Sequence, residues 1–170
     1  MNFTEFKLNA QILSGVKELG YETATPIQEK AIPSILAGLD VVGTAQTGTG
    51  KTAAFALPLL QRLMDGPRGQ LRGLILAPTR ELAEQIRQSI DRLAIRTGLR
   101  CTAIYGGANL VKQYQILRRG VDIVIACPGR LLDHINRGNI NLTQVEVLVL
   151  DEADHMFDLG FREPIYKIIR

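Results

Sequence analysis

Short runs of apolar and β-branched residues alternate along the chain with longer stretches whose apolar positions recur every three or four residues. The short runs are Val41-Val42, Gly73 to Ala77, Thr102 to Tyr105, Asp122 to Ala126 and Val145 to Leu150. Between them, helical periodicity covers Lys51–Met64, Glu81–Leu93, Leu110–Arg119 and Gly129–Asn136. Two helices precede the first run. One is capped by Asn9 and runs to Gly20; the other enters through Thr25 as N-cap and Pro26 as first helical residue and ends near Ala37. Near-continuous apolar strands alternating with amphipathic helices predict an α/β fold: a mostly parallel central sheet with helices on both faces. Ligands bind such sheets at the carboxyl ends of the strands, so chemistry is expected in the loops that follow the apolar runs.

Composition narrows the class. With 170 residues, 46% hydrophobic and 22% charged, the chain is long enough for one domain and is neither disordered, collagen-like nor coiled coil. No apolar run approaches the roughly 18 residues of a membrane span, and Met1 to Ala10 lack the pattern of a secretory signal. Cys101 and Cys127 each fall in or beside an apolar run, as buried reduced thiols do, so a cytoplasmic protein without membrane partners is expected. The net charge of +3 is unevenly placed. Residues 41–150 hold 14 Lys and Arg against 7 Asp and Glu, whereas 1–40 and 151–170 each hold 3 against 5. A basic middle between acidic ends suits a polyanionic partner, although solvated helix faces give the same count.

Two stretches carry chemistry on their own. After Val41-Val42 comes Ala45-Gln46-Thr47-Gly48-Thr49-Gly50-Lys51-Thr52, opening a helix. Strand, glycine-containing loop and helix stand in the order of a phosphate-binding loop, with Ala45 in place of the first glycine of the usual pattern. Gly48 and Gly50 let backbone N–H groups turn inward toward phosphate oxygens, and the helix dipole adds to their field. Lys51 supplies a point charge for the β- and γ-phosphates, and the Thr52 hydroxyl suits a Mg²⁺ ligand. The second stretch is Asp151-Glu152-Ala153-Asp154, at the exit of the last apolar run. Asp151 suits Mg²⁺, partly through its water shell, and Glu152 suits polarisation of the water that attacks the γ-phosphate. Together the two stretches predict NTP hydrolysis with Mg²⁺.

At these residues the sequence resembles the first RecA-like lobe of the DEAD-box ATP-dependent RNA helicases, whose name Asp151-Glu152-Ala153-Asp154 spells. The resemblance implies a three-layer RecA-like fold, ATP as the nucleotide, and RNA as the partner. Gly20-Tyr21 followed by Thr25-Pro26-Ile27-Gln28 is similar to the family's Q motif, and Phe3 stands 17 residues before Gly20, where the family places an aromatic. The resemblance thus assigns Phe3, Tyr21, Thr25 and Gln28 to the nucleotide, Gln28 reading the adenine edge and Phe3 stacking on the ring; Gln28 also suits a helix-surface residue and Phe3 a core anchor. Three further segments match family elements that grip the nucleic-acid backbone. In Pro78-Thr79-Arg80, the Thr79 hydroxyl and the helix N-terminus can meet a phosphate. Gly106-Gly107 permit close approach. In Cys127-Pro128-Gly129-Arg130, Arg130 suits either a phosphate or anchoring of the loop. The family usually has Thr where this chain has Cys127, a much weaker donor. Asp154 and His155 are expected to couple the ATP and RNA sites.

The resemblance also divides the chain into Q-motif helices over 1–38 and a RecA-like lobe over 39–170. It implies a following Ser-Ala-Thr strand and a second RecA-like lobe, neither of which lies within residues 1–170. The expectation is therefore a truncated lobe that binds nucleotide but lacks efficient ATPase and unwinding, with an unpaired sheet edge. Two other functions use the same residues: a DNA-directed motor lobe and a non-catalytic nucleotide-binding RNA scaffold.

Overall fold

A computed structural model describes residues 1–46 and 48–170; Thr47, expected in the phosphate loop, lies outside the described residues. The chain divides into two units, residues 1–66 with 89–99, and residues 67–88 with 100–170.

The first unit is helical. Its N-terminus forms a short 3-10 turn at Phe3–Phe6, followed by α1 (Ala10–Glu18), α2 (Pro26–Leu36) and α3 (Lys51–Met64). The last turn of α4 (Arg80–Leu93) also belongs to it. The Asn9 side chain accepts from the Gln11 N–H at 2.9 Å, capping α1 as expected. The buried face of α3 carries Leu57, Leu60 and Leu63, each fully buried; burial of such side chains stabilises by about 1.5–3 kcal/mol apiece. The expected strand at Val41-Val42 does not form. Residues 39–46 take no regular structure, and Val42 is 99% exposed. Two apolar residues offer too few ladder bonds to make a strand without neighbours, and among the described residues no strand pairs with them.

The second unit holds the sheet: β1 (Gly73–Leu76), β2 (Cys101–Ile104), β3 (Ile123–Ala126) and β4 (Val147–Leu150), in the order β2-β3-β1-β4 and parallel throughout. Its helices are the first part of α4, α5 (Leu110–Arg118), α6 (Pro128–Asn136), and two that periodicity does not predict, α7 (Ala153–Asp158) and α8 (Arg162–Ile169). Leu74, Leu76, Ile104, Val124 and Ala126 join Leu131, Met156, Ile165 and Ile168 in one core. The intervening Ile75, Ile123 and Ile125 are equally buried, so both faces of the central strands are covered, as their unbroken apolar runs require. At the amino edge, the buried Asp122 carboxylate accepts from the Gly69 and Arg100 N–H groups at 2.7 and 2.8 Å. Among the described residues β4 pairs with β1 only, leaving Leu148 and Leu150 exposed on an edge strand.

The register decides where function can sit. Gly73 lies opposite both Ile123 and Val147, and Cys101 opposite Ile123, so all four strands finish level at Leu76, Ile104, Ala126 and Leu150. The next backbone N–H groups continue the ladder: Ala77 to Ala126 O, Cys127 to Ile104 O, and Asp151 to Leu76 O, at 3.0, 3.0 and 2.9 Å.

Gly15, on the buried face of α1, tests the packing of the helical unit. A Cβ there would lie 2.3 Å from the Leu93 carbonyl oxygen. Helix propensity alone makes Gly15→Ala stabilising by about 1 kcal/mol, whereas forcing a methyl against backbone costs about 1–3 kcal/mol. A net loss of stability is expected in urea unfolding; a gain would show that the α1–α4 contact is loose.

Candidate nucleotide and nucleic-acid interfaces

The phosphate-loop segment is tied to the Q-like segment within the helical unit. Gln28, buried on α2, accepts from the Thr25 N–H through Oε1 and donates from Nε2 to the Gly50 carbonyl, both at 3.0 Å. Gly50 is the left-handed N-cap of α3, with φ +88°, and a Cβ there would lie 2.4 Å from Gln28 Nε2. The backbone angle thus favours glycine at this position, and a Cβ would also displace the Gln28 amide from its bond to the Gly50 carbonyl. The Thr49 hydroxyl donates to the Gln46 carbonyl at 2.7 Å, closing the loop on itself. Lys51 and Thr52 form the first turn of the 14-residue α3 and are half-buried. Ala45 is also half-buried, while Gln46 and Gly48 are exposed, and a Cβ at Gly48 would meet nothing within 4 Å.

These observations fit a bound phosphate: open space beside Gly48, the positive end of a long helix, and a lysine at its first turn. The Thr25 hydroxyl oxygen is buried without a hydrogen-bond partner among the described residues, which marks a polar position facing the same Gly50. The Thr52 hydroxyl in the helical unit and the Asp151 carboxylate in the sheet unit are each, by themselves, the kind of hard oxygen donor Mg²⁺ takes. Phe3 is 2% exposed and lies between Phe6 and Tyr21, with ring centroids at 5.9 and 6.1 Å. Tyr21, stacked on Phe3, is 42% exposed and is the outward-facing aromatic of the group.

In the sheet unit, the four segments that follow the strands share one edge. The strand order places Gly106-Gly107 first, then Pro128-Gly129-Arg130, Pro78-Thr79-Arg80, and Asp151-Glu152 last. The Thr79 hydroxyl oxygen accepts from the Leu82 N–H at 3.2 Å and caps α4, leaving its own proton available. Pro78 is buried, Thr79 half-buried and Arg80 exposed, its Cζ 5.0 Å from the Tyr105 ring centroid. The Tyr105 hydroxyl donates to Glu84 Oε1 and Arg87 Nε donates to Glu84 Oε2, both at 2.8 Å. Burial pushes the Glu84 carboxyl up, but the bonds from Arg87 and Tyr105, with the charges of Arg87 and Arg80, bring it below the usual carboxylate range. Its bond to Glu84, together with burial, raises Tyr105 above the usual phenol value.

Arg130 ties two of these segments together. Its Nη1 donates to the Ala108 carbonyl at 3.0 Å and to Gln113 Oε1 at 2.9 Å, and its side chain is only 12% exposed. Gln113 in turn donates from Nε2 to the Tyr105 carbonyl at 3.1 Å. Gly106 and Gly129 are exposed, and a Cβ on either would meet nothing within 4 Å. Packing within the protein does not demand glycine there, and both positions stay open to an approaching backbone. Burial and the Glu81 charge push the Cys127 thiol up to about 11, so it remains a neutral thiol, and it makes no side-chain cap bond to α6.

Glu152 adopts left-handed backbone angles, φ +51° and ψ +50°, a conformation that costs a non-glycine residue about 1–3 kcal/mol. His155 Nδ1 lies 3.3 Å from Glu152 Oε2, and both Asp154 and His155 are exposed. Sequence reasoning missed Glu84, Tyr105 as a side chain, and Gln113. The available signals were weak: Glu84 stands one turn beyond Arg80 on the same helix, and Tyr105 directly precedes Gly106.

His134 completes the polar network. It is fully buried, with Nε2 3.1 Å from Gln113 Oε1 and Nδ1 3.2 Å from Asn139 Nδ2. Gln113 Oε1 accepts, so the Nε2–H tautomer fits, with Nδ1 accepting from Asn139. Burial, then the Arg130 charge, hold the imidazole below its ordinary value near 6.5. The unfolded chain therefore takes up a proton near pH 6.5 that the native state resists, and stability falls as pH drops below that value, by up to about 1.4 kcal/mol per pH unit. Urea unfolding between pH 7 and 5 is expected to show this loss, and His134→Gln to shallow it; equal slopes would place the imidazole in contact with solvent.

Comparison with known proteins agrees with this geometry. The chain matches the DEAD/DEAH box helicase family over residues 25–170. It is 47% identical over 168 residues to the ATP-dependent RNA helicase CshA of Listeria monocytogenes, covering 99% of this chain and 32% of that protein. It is 48% identical over 170 residues to the ATP-dependent rRNA helicase rrp3 of Emericella nidulans, covering 99% of this chain and 36% of the relative. The crystal structure of the RNA-helicase Prp28 from Chaetomium thermophilum bound to ADP aligns with a TM-score of 0.93 and 43% identity, over 99% of this chain and 42% of that one. The chain thus spans about a third of the length of the curated relatives it matches. With the motifs, the parallel sheet and the family match in agreement, the chain belongs to the DEAD/DEAH box helicase family and has its RecA-like fold.

Proposed function

We propose that this chain is the ATP- and RNA-binding lobe of an ATP-dependent RNA helicase, coupling Mg-ATP hydrolysis to remodelling of RNA duplexes together with a second RecA-like lobe. The observation that carries the reading is the level carboxyl edge of the sheet. It sets Asp151-Glu152 in one row with three segments whose exposed glycines, capped helix start and arginine suit a phosphate backbone.

In this reading Lys51 holds the β- and γ-phosphates, while the backbone of Ala45, Gln46 and Gly48 to Gly50 cradles them. Thr52 and Asp151 would each offer an oxygen donor to Mg²⁺, which would supply charge neutralisation on the phosphate oxygens. Glu152 orients and polarises the attacking water, its carboxylate aimed by the left-handed turn and by His155. Tyr21 offers its exposed ring to the base, with Phe3 as the buried ring behind it. Gln28 joins the base-reading segment at Thr25 to the phosphate loop at Gly50, so adenine recognition and phosphate binding share one side chain. Pro78, Thr79, Arg80, Gly106, Gly107, Pro128, Gly129 and Arg130 form the RNA side, with Arg130 acting as the tie between loops. Asp154 and His155 connect the two sides. Contacts of this kind read no base edges, so RNA binding is sequence-tolerant and salt-dependent.

Titration with a fluorescent adenine nucleotide tests the reading. Wild-type chain is expected to bind with Mg²⁺ and to release the probe to excess ATP or ADP but not to GTP. Lys51→Ala is expected to lose at least about tenfold in affinity, or about 1.4 kcal/mol. Glu152→Gln is expected to bind normally and to hydrolyse ATP more slowly. Unchanged affinity in Lys51→Ala would remove the phosphate loop from the function and favour a scaffold.

A further inference from the structure

Arg80 is exposed at the first position of α4, where an arginine can take many rotamers, yet its guanidinium has a defined seat. One turn further along the helix stands Glu84, whose carboxylate is the natural i,i+4 partner of Arg80. A pair of that kind would draw the cation back along the helix and neutralise it. Each Glu84 oxygen already accepts one bond, Oε1 from the Tyr105 hydroxyl and Oε2 from Arg87 Nε, which weakens the pull of the carboxylate on a further cation. The Arg80 carbon Cζ instead lies 5.0 Å from the Tyr105 ring centroid, within cation–π range. Tyr105 thus acts twice, satisfying part of the competing carboxylate with its hydroxyl and seating the cation with its ring. Its own backbone is held from the other side, since its carbonyl accepts from Gln113 Nε2.

Resting on the proposed RNA role of Arg80, we propose that Tyr105 is a positioning residue for RNA binding: its Glu84-anchored ring holds the Arg80 guanidinium out for a backbone phosphate. Tyr105 touches no phosphate in this scheme; it acts through Arg80. The clasp spans two of the three segments, so it also fixes the spacing between the start of α4 and the Gly106-Gly107 loop.

The test is a double-mutant cycle on the chain, read by fluorescence anisotropy of a labelled single-stranded oligouridylate at low salt, with thermal unfolding as the folding control. Arg80→Ala is expected to weaken binding by about threefold or more and to flatten the salt dependence by about one phosphate contact. Tyr105→Leu is expected to weaken it by about two- to fivefold, the scale of one exposed cation–π contact. Added to Arg80→Ala, it is expected to cost nothing further, because both act through one contact. Tyr105→Phe keeps the ring and frees Glu84, and is expected to fall between wild type and Tyr105→Leu. If Tyr105→Leu fails to fold, the same cycle is run with Tyr105→Phe. Wild-type affinity in the Tyr105 variants, or factors that multiply in the double variant, would overturn the positioning role while leaving Arg80 as a contact. Unchanged binding in Arg80→Ala would overturn the RNA role of Arg80 and the proposal with it.

Discussion

The sheet register is the constraint on which the sheet unit depends. Because Leu76, Ile104, Ala126 and Leu150 stand opposite one another, four separate loops emerge side by side along one edge. Neighbouring strands in a sheet are about 4.8 Å apart, so loop positions along that edge are set by backbone hydrogen bonds rather than by side chains. A slip of one residue on β3 would turn Val124 and Ala126 out of the core they share with Leu74 and Leu76. It would also move Gly129 and Arg130 away from the Ala108 carbonyl. Burial on both faces of β1 and β3 penalises such a slip heavily, and that penalty is what gives the row of loops its precision.

On this scaffold, side chains make the second set of restraints. Arg130 bonds to Ala108 O and Gln113, Gln113 to Tyr105 O, and His134 to Gln113. A buried polar network is stabilising only when its members are satisfied, and here the Gln113 carbonyl oxygen serves both Arg130 and His134. The network holds the Gly106-Gly107 loop and the start of α6 as one body while leaving both glycines exposed. Rigid backbone with open glycines is the combination that close approach to another chain's backbone needs, since ordering costs are met in folding rather than in binding.

Much of the fold was legible because its signals are local. The α3 boundary follows from Gly50 and Lys51, the α2 entry from Thr25-Pro26, and the sheet strands from unbroken apolar runs. Where the signal was not local, the reading failed. Val41-Val42 resembles a strand start, but a strand exists only through its neighbours, and among the described residues it has none. Helices α7 and α8 are short, and α7 starts behind a left-handed Glu152 that no propensity favours. Among candidate site residues, composition and spacing pointed to the phosphate loop and the acidic strand end, because the chemistry proposed for them requires particular side chains at particular intervals. Spacing left Arg130 open between phosphate and anchor; its bonds to Ala108 and Gln113, residues far back in the chain, supply the anchor. Tyr105 and Glu84 were invisible for the same reason, since their partnership crosses from one strand end to the helix after another.

The acidic end of the row carries a further consequence. Among the described residues, β4 is the only strand whose residues alternate between half-buried and exposed, and its sole partner is β1. The strand that carries Asp151-Glu152 is therefore held by one ladder, whereas β1 and β3 are held by two. The left-handed backbone at Glu152 adds a local cost of about 1–3 kcal/mol at the end of this half-exposed edge strand. Against that cost stand the Asp151 N–H bond to Leu76 O and the fully buried Met156 of α7, which joins the core of β1 and β3. Met156 fixes the far side of the turn and the ladder fixes the near side, so the strained residue between them has nowhere to relax. Strain persists in a fold only when it is bracketed in this way, and it holds the Glu152 carboxylate at the edge beside His155. Along this edge the left-handed strain is therefore confined to the acidic end, the end to which the proposed chemistry belongs.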